Sequence, residues 1–200
     1  MRESSSDVAA ESSLPLPTAE QARMILDTTL GQIRFARQYT LQLLQATPRS
    51  LWLQRVALPQ SGAEGDPSLG SSCIAWQVGH LTFSQYGLLM FRIHGRAEGD
   101  MQLFPSRFRK AFARGSDPAA AAVEQWSAEE LLQRMEAVHQ AALAGLGPSL
   151  PTEVLFEPVD MPYAVYPIKL GAILFCPLHE QIHAGQIGLI RRLLGLPPVR

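Results

Sequence analysis

Four long segments of the chain place apolar residues at the three- and four-residue spacing of an amphipathic helix. They cover about residues 18–46, 72–93, 127–145 and 168–194. The connections between them show no convincing strand pattern. Helices that each bury one apolar stripe must pack those stripes together. The sequence therefore predicts an all-α fold, a four-helix bundle with long connectors.

Local signals mark the ends of these predicted helices. Thr18 and Gln21, and again Ser127 and Glu130, stand at the spacing of a capping box, in which a side chain satisfies the first free backbone N–H groups. Pro177 lies inside the fourth segment, where its missing N–H interrupts the helical hydrogen bonds. We therefore expect either a kink at Pro177 or a helix that begins there.

The length of 200 residues favours one domain, large enough to bury a continuous core. Residues 1–16 are polar and rich in serine, without the apolar centre of a secretory signal. Such a segment has too little apolar surface to offset the entropy of ordering it. We expect residues 1–16 to form a disordered lead and residues 17–200 to form the bundle domain.

Charge and cysteine content limit the partners and the compartment. The chain has 17 Lys and Arg against 18 Asp and Glu, so its net charge gives no reason to expect binding to nucleic acid or to acidic membranes. No apolar run reaches the ~20 residues of a membrane span. The two cysteines, Cys73 and Cys176, are too few for a disulfide framework. A cytoplasmic location is therefore expected.

The fourth segment contains the pentad His-Glu-Gln-Ile-His, which fits the zinc-protease pattern H-E-x-x-H. His179 and His183 are four residues apart, so in a helix both can point at one ion. A protease needs its third ligand downstream, where the remaining "AGQIGLIRRLLGLPPVR" has no His, Asp, Glu or Cys. Glu180 lies about 100° around the helix from His179 and need not face the ion. A metalloprotease is therefore disfavoured.

A third ligand must then come from upstream, where three histidines are available. His94 ends the second helix, where a solvent-facing role fits, and His139 borders an apolar stripe, where a hydrogen-bonded core role fits. His80 lies among apolar residues in mid-helix, where an unpartnered imidazole is costly. Ser84 and Gly87 follow it by one and two turns and would leave a cavity. Spacing alone leaves two hypotheses for His80 open, a metal ligand or a hydrogen-bonded core residue.

Three stretches of the chain resemble a known family. These are "WQVGHL" in the second segment, "LFPSRFRKAFARGSDP" in the centre and "HEQIHAGQIGLIRRLLGLPP" near the end. They are similar to sequences of the DinB-like superfamily, over about residues 18–198. The resemblance implies a four-helix bundle that binds a divalent metal through one histidine of the second helix and two of the fourth. Matched position by position, these ligands are His80, His179 and His183.

The resemblance also implies what the metal is for. Some relatives are thiol-dependent transferases or hydrolases, and others are domains of thiohistidine biosynthesis enzymes. Imidazole suits several divalent transition metals, of which zinc or nickel is expected here. The first hypothesis is a metal-dependent transferase or hydrolase with a small-molecule or thiol substrate, expected as a homodimer. The alternative is a non-enzymatic metal-binding or stress-associated bundle, and an H-E-x-x-H metalloprotease is a distant third.

Few other side chains offer chemistry. Ser84 and Gln186 are weak candidates for proton transfer, so no catalytic residue is assigned. Gln186 continues the face of the two helical histidines, where it either supports a ligand or makes a helix–helix hydrogen bond. Cys73 and Cys176 can fall on the same sides of their helices as the neighbouring histidines. A buried apolar role is expected for both thiols, while a thiolate ligand or a disulfide between them stays open.

Overall fold

The structure is a computed structural model that describes residues 14–57, 71–161 and 163–199. Most of the lead expected over residues 1–16 lies outside the described residues. None of the helices in the described ranges has the length and apolar character needed to cross a bilayer.

Four helical segments form the body of the fold, joined by shorter helices. The second segment is a regular helix that widens into a π turn before it ends. The long segments are α1 (Ala19–Gln45), α2 (Ile74–Tyr86) with its π turn (Gly87–Phe91) and α3 (Arg92–His94), α7 (Ala128–Gly145) and α8 (Lys169–Leu193). The connecting helices are α4 (Asp100–Leu103), α5 (Ser106–Phe112) and α6 (Ala121–Glu124), with 3₁₀ turns at Arg49–Leu51 and Thr152–Phe156.

The predicted all-α class and four-helix arrangement are confirmed. α1 packs on α8, and α2 packs on both α7 and α8, so α2 and α8 are neighbours at the centre. A short antiparallel pair of strands, β1 (Val56–Ala57) and β2 (Ser71–Ser72), joins the first connector to the start of α2. This strand pair is a local feature and leaves the helical architecture unchanged.

Both predicted capping boxes are present. Thr18 Oγ1 accepts a hydrogen bond from the backbone of Gln21, whose side chain accepts one from the Thr18 backbone. Ser127 and Glu130 make the same reciprocal pair at the start of α7. α8 begins at Lys169 and continues through Pro177, so the expectation that a helix begins at the proline is wrong. Packing of α8 against α1 and α2 keeps the helix together across the missing hydrogen bond.

Gly79 allows α5 to approach α2 closely. A Cβ atom at Gly79 would lie 2.3 Å from the ring of Phe112, a distance that no side chain tolerates. The Phe112 ring therefore occupies the space that a side chain would fill on α2. This contact brings the end of α5 beside the next residue of α2, His80.

Candidate metal centre

Three histidines from the two central helices converge. His80 projects from α2, and His179 and His183 project from successive turns of α8. One ligand nitrogen from each residue lies within 4.8 Å of the others, a spacing that could hold one metal ion. His80 and His183 are buried, whereas His179 is partly exposed. We call these three residues the histidine cluster.

Hydrogen bonds to the outer ring nitrogens orient two members of the cluster. His80 Nδ1 lies 2.8 Å from the backbone oxygen of Phe112, and His183 Nδ1 lies 2.6 Å from Gln77 Oε1. Gln77 donates its own amide hydrogen to Ser72 Oγ, which leaves its oxygen facing His183. Both acceptors require the proton on Nδ1, so Nε2 of each neutral ring carries a lone pair, which at His80 meets the Ser84 hydroxyl at 3.4 Å. Metal-binding histidines are held in this way.

Trp76 fixes the plane of the His80 ring. The two rings stack with centroids 4.7 Å apart and planes 6° from parallel. The Trp76 indole N–H donates to Ser116 Oγ at 3.0 Å, which anchors the indole in turn. His80 is thus held by its own hydrogen bond and by stacking, so its ring has little freedom to rotate.

Burial makes the whole cluster neutral at physiological pH. It lowers the pKa of His80, with the hydrogen bond to Phe112 acting in the opposite direction. Burial, with a contribution from His80, lowers the pKa of His179 to about 4. Burial and the two neighbouring histidines lower the pKa of His183 to about 3. Since imidazole must be neutral to bind a metal, the cluster is in the state that a metal site requires.

The other two histidines lie outside the cluster. His94 is exposed at the end of α3, with its ring against Gly145. His139 is buried on α7, where its Nδ1 lies 3.1 Å from Gln85 Nε2. These positions match the solvent-facing and hydrogen-bonded core roles that the sequence predicts for them.

Glu180, the glutamate inside the pentad, points into the bundle and away from the histidine cluster. Its carboxylate accepts two hydrogen bonds from Arg37 of α1, at 2.7 Å from Nε and 3.2 Å from Nη2. Both side chains are buried, at 3% exposure each. A carboxylate committed to a buried arginine cannot act as a general base at the cluster. The match to H-E-x-x-H is therefore coincidental.

The Arg37–Glu180 pair belongs to a polar network that links all four long segments. Arg37 Nη2 also donates to Gln85 Oε1 on α2, and Arg37 Nη1 donates to the backbone of Met135 on α7. The Gln85 amide then contacts His139 on α7. We call Arg37, Gln85, His139 and Glu180 the interior network.

The expectation that Cys176 lies on the side of His179 is corrected, and two glutamines support the cluster. Cys176 lies beside Gln85 and Glu180 of the interior network rather than beside His179, and burial strongly raises the pKa of its thiol. Burial also raises the pKa of the Cys73 thiol, and both cysteines are free. Gln186, expected to support a ligand or make a helix–helix hydrogen bond, is exposed, and its side-chain hydrogen bond to His183 acts to raise the pKa of that ring. Gln77 makes the supporting hydrogen bond that the sequence analysis did not assign.

A pocket of about 180 Å³ opens beside the cluster. His80 and His179 form one wall of it, and Ser84 and Gly87 line it as the sequence predicts. The remaining lining residues come from α2, its π turn and α3, from the connectors after α5 and before α8, and from α8 itself. They are Phe83, Leu88, Arg92, Arg114, Tyr163 and Phe175. The sequence analysis missed the two arginines and the tyrosine.

The fold and site together define a helical bundle with a three-histidine cluster between its second and fourth long segments. The family model of the DinB superfamily matches residues 32–187. The chain belongs to the DinB superfamily, which confirms the resemblance seen in the sequence. No curated protein and no solved structure matches the chain.

Proposed function

We propose that the protein binds one divalent transition metal, zinc or nickel, through His80, His179 and His183. The observation that carries this proposal is the convergence of three neutral imidazoles, two of them with their outer nitrogens already hydrogen-bonded. The Ser84 hydroxyl contacts His80 Nε2 at a long 3.4 Å, so this lone pair is weakly satisfied and suited to an ion. The donor set is that of a catalytic zinc site with three protein ligands.

We further propose that this site makes the protein a metal-dependent enzyme, a thiol transferase or a hydrolase. A divalent ion held by three histidines lowers the pKa of a thiol or of water and so supplies a nucleophile near neutral pH. Among the residues that line the pocket in the described part of the chain, none is Asp or Glu. A thiol ionises far more readily than water and needs no carboxylate base. Thiol transfer is therefore the better supported reaction.

The same lack of a carboxylate supports a second candidate, a bundle that binds metal without catalysis. Ser84 and Tyr163 are the hydroxyl groups of the pocket, and neither is a good proton-transfer group at neutral pH. A protein that loads metal and binds thiols but transfers none would fit this alternative.

Location, assembly and domain extent complete the proposal. Two free, buried thiols suit a reducing compartment, so we propose a cytoplasmic location. α1 and α8 pack on each other and expose the large apolar side chains Phe35, Leu178 and Ile182, which suits a homodimer formed through these helices. The bundle domain is proposed to span residues 17–200.

Metal content tests the site. Elemental analysis of the purified protein should find about one transition metal per chain. His80→Ala, His179→Ala and His183→Ala should each lose most of it, because two imidazoles hold a metal poorly. His94→Ala, which removes an exposed histidine, is the matched control and should retain the metal. Full metal content in His80→Ala, with wild-type circular dichroism, would exclude this ligand set.

A transfer assay tests the reaction. The metal-loaded protein is incubated with small thiols and an electrophilic acceptor, and thioether formation is measured by mass spectrometry. Transfer should exceed the rate with metal-loaded His183→Ala, prepared at saturating metal. A protein that loads metal and transfers no thiol above that background is better described as a binding module. Cleavage of unfolded peptides that vanishes in Glu180→Gln would restore the protease instead.

A further inference from the structure

The pocket beside the histidine cluster carries positive charge, and none of the described residues that line it is a carboxylate. Arg92 and Arg114 line it together with His80, His179, Ser84 and Tyr163. Across residues 14–57, 71–161 and 163–199, neither arginine forms an ion pair with an acidic side chain. The arginine of the interior network is, by contrast, fully paired with Glu180. The arginine charge inside the bundle is therefore neutralised by a carboxylate, whereas the arginine charge at the pocket is available to a ligand.

The π turn explains how Arg92 reaches the pocket. In a regular α-helix, residues five apart lie about 140° apart around the axis, so Arg92 and Gly87 would face different directions. The π turn closes a hydrogen bond from the Arg92 N–H to the Gly87 oxygen and widens the helix by one residue. This brings Arg92 onto the face that carries Ser84 and Gly87. Such turns are frequent at functional sites.

Within the described part of the chain, one hydrogen bond holds the Arg92 side chain and leaves most of its donors available. Nη1 of Arg92 donates to the Gly87 oxygen at 2.8 Å, so the guanidinium is anchored at the pocket wall. Arg92 is half-buried, and a guanidinium offers five N–H donors in a planar fork that matches a carboxylate. Arg114 approaches from beyond the end of α5 and is exposed. The first arginine is built into the site, and the second adds charge at its rim.

We infer that Arg92 and Arg114 bind an anionic group of the substrate, so that the protein acts on small molecules that carry a carboxylate or another oxyanion. This inference rests on the proposed function, because it assumes that the substrate enters the pocket beside the histidine cluster. The volume of about 180 Å³ is below the ~300–1,000 Å³ of pockets for drug-sized ligands, and it suits a short molecule or one end of a longer one. Arg92 sets the position of the anionic group, and Arg114 adds attraction during approach.

A set of three small thiols tests this inference on cobalt-loaded protein, with binding followed by the absorption bands of cobalt. The thiols are 3-mercaptopropionate, 2-mercaptoethanesulfonate and the neutral 2-mercaptoethanol. Both anionic thiols should bind about tenfold more tightly than the neutral one, as expected for a charge-assisted hydrogen bond. A larger gain for the carboxylate than for the sulfonate identifies a planar oxyanion as the preferred group.

Variants separate the arginines from the metal. Arg92→Gln should lose the preference for anionic thiols and keep the affinity for 2-mercaptoethanol. Arg114→Gln should lose a smaller part of the preference, because it is exposed. Arg109→Gln, an exposed arginine of α5 that does not line the pocket, is the matched control. A preference that persists in Arg92→Gln would come from the metal alone and overturns the inference, as does equal binding of all three thiols by the wild type.

Failure of the metal site gives a different result from failure of the anion site. Cobalt that does not load the wild type contradicts the proposed function. In that case the inference is decided on metal-free protein by equilibrium dialysis with inorganic phosphate. Saturable binding that is lost in Arg92→Gln supports an anion site at this pocket, and its absence in the wild type overturns it.

Discussion

Two faces of α8 carry buried polar side chains with opposite properties. His179 lines the pocket and, with His183, belongs to the histidine cluster, whereas Glu180, which lies between them in sequence, faces the interior of the bundle. The interior network pairs its charges and amides with one another across all four long segments. The histidine cluster is paired on its outer side, where Phe112 and Gln77 accept from Nδ1, and its inner side is contacted by the Ser84 hydroxyl at a long 3.4 Å from His80 Nε2. Polar groups that satisfy one another's hydrogen bonds stabilise a fold, whereas polar groups with weakly used lone pairs are suited to bind a ligand.

The positive charge of Arg37 determines the direction of the hydrogen bonds in the interior network. Arg37 is held by Glu180 and directs its Nη2 to the oxygen of Gln85. The Gln85 amide must then present its NH₂ group to His139, which has to accept through an unprotonated Nδ1. Each member therefore determines the hydrogen-bonding state of the next. This dependence makes the network sensitive to the loss of any one member.

Glu180→Gln should cause the largest loss of stability. It leaves the Arg37 charge buried without a counter-charge, which costs about 3–5 kcal/mol. Urea unfolding of metal-free protein measures the change. Glu129→Gln is the matched control, because its pair with Arg49 is largely exposed and should change stability by less than about 1 kcal/mol. Folded Glu180→Gln should still load metal and bind thiols. A loss of stability no larger than that of the control would contradict the assigned role of the network.

His139→Gln should flatten the dependence of stability on pH. Burial and the Arg37 charge lower the pKa of His139 from 6.5 to about 4, with the Glu180 charge acting in the opposite direction. Between these values the unfolded chain binds a proton that the folded chain refuses, so stability falls as pH falls from about 6.5 to about 4. The variant removes this contribution, which amounts to at most about 3 kcal/mol across the window.

Unfolding curves of metal-free wild type and His139→Gln at several pH values between 4 and 7 measure this effect. The cluster histidines also have lowered pKa values, but they contribute equally to both proteins and cancel in the difference. Parallel dependences in the two proteins would show that His139 is not held neutral by the network.

The sequence predicted the features that depend on local interactions. The capping boxes at Thr18 and Ser127 need only residues three apart, and the apolar stripes need only the helical period. The direction of Glu180 away from His179 likewise follows from helix geometry. The meeting of His80 with the two histidines of α8 did not follow from spacing, which left two hypotheses open. The family resemblance selected between them.

Features that depend on tertiary packing could not be predicted from the sequence. Arg92 reaches the pocket through a π turn, and no periodicity predicts where a helix will widen. Gln77 was missed because its partner, His183, is on another helix, while Gln186 was considered because it shares the helix face of His183. The carbonyl of Phe112 depends on the close approach of α5 to Gly79. A glycine in mid-helix before a buried histidine was the available signal for that contact.

Gln77→Met should weaken metal binding more than it weakens the fold. Methionine keeps the approximate shape of glutamine but cannot accept the hydrogen bond from His183 Nδ1. Loss of such a supporting acceptor typically reduces metal affinity about 10–100-fold. Competition with a chromophoric chelator measures the affinity. Gln181→Met, at an exposed glutamine on the same helix as His183, should keep wild-type affinity. Equal losses in the two variants would mean that Gln77 does not orient the cluster.

Removal of residues 1–15 should have the smallest effect. It tests whether the stability and the metal binding that depend on the two faces of α8 are independent of the lead. These residues are polar and rich in serine, with little apolar surface to bury. Leu14 and Leu16, at the start of the described part of the chain, are each more than half exposed. A chain that starts at Leu16 should therefore keep both its thermal midpoint and its metal content. A chain that starts at Ala19 is the informative comparison, because it also loses the Thr18 cap of α1, which costs about 1 kcal/mol. A midpoint lowered by several degrees already in the chain that starts at Leu16 would show that the lead packs on the bundle.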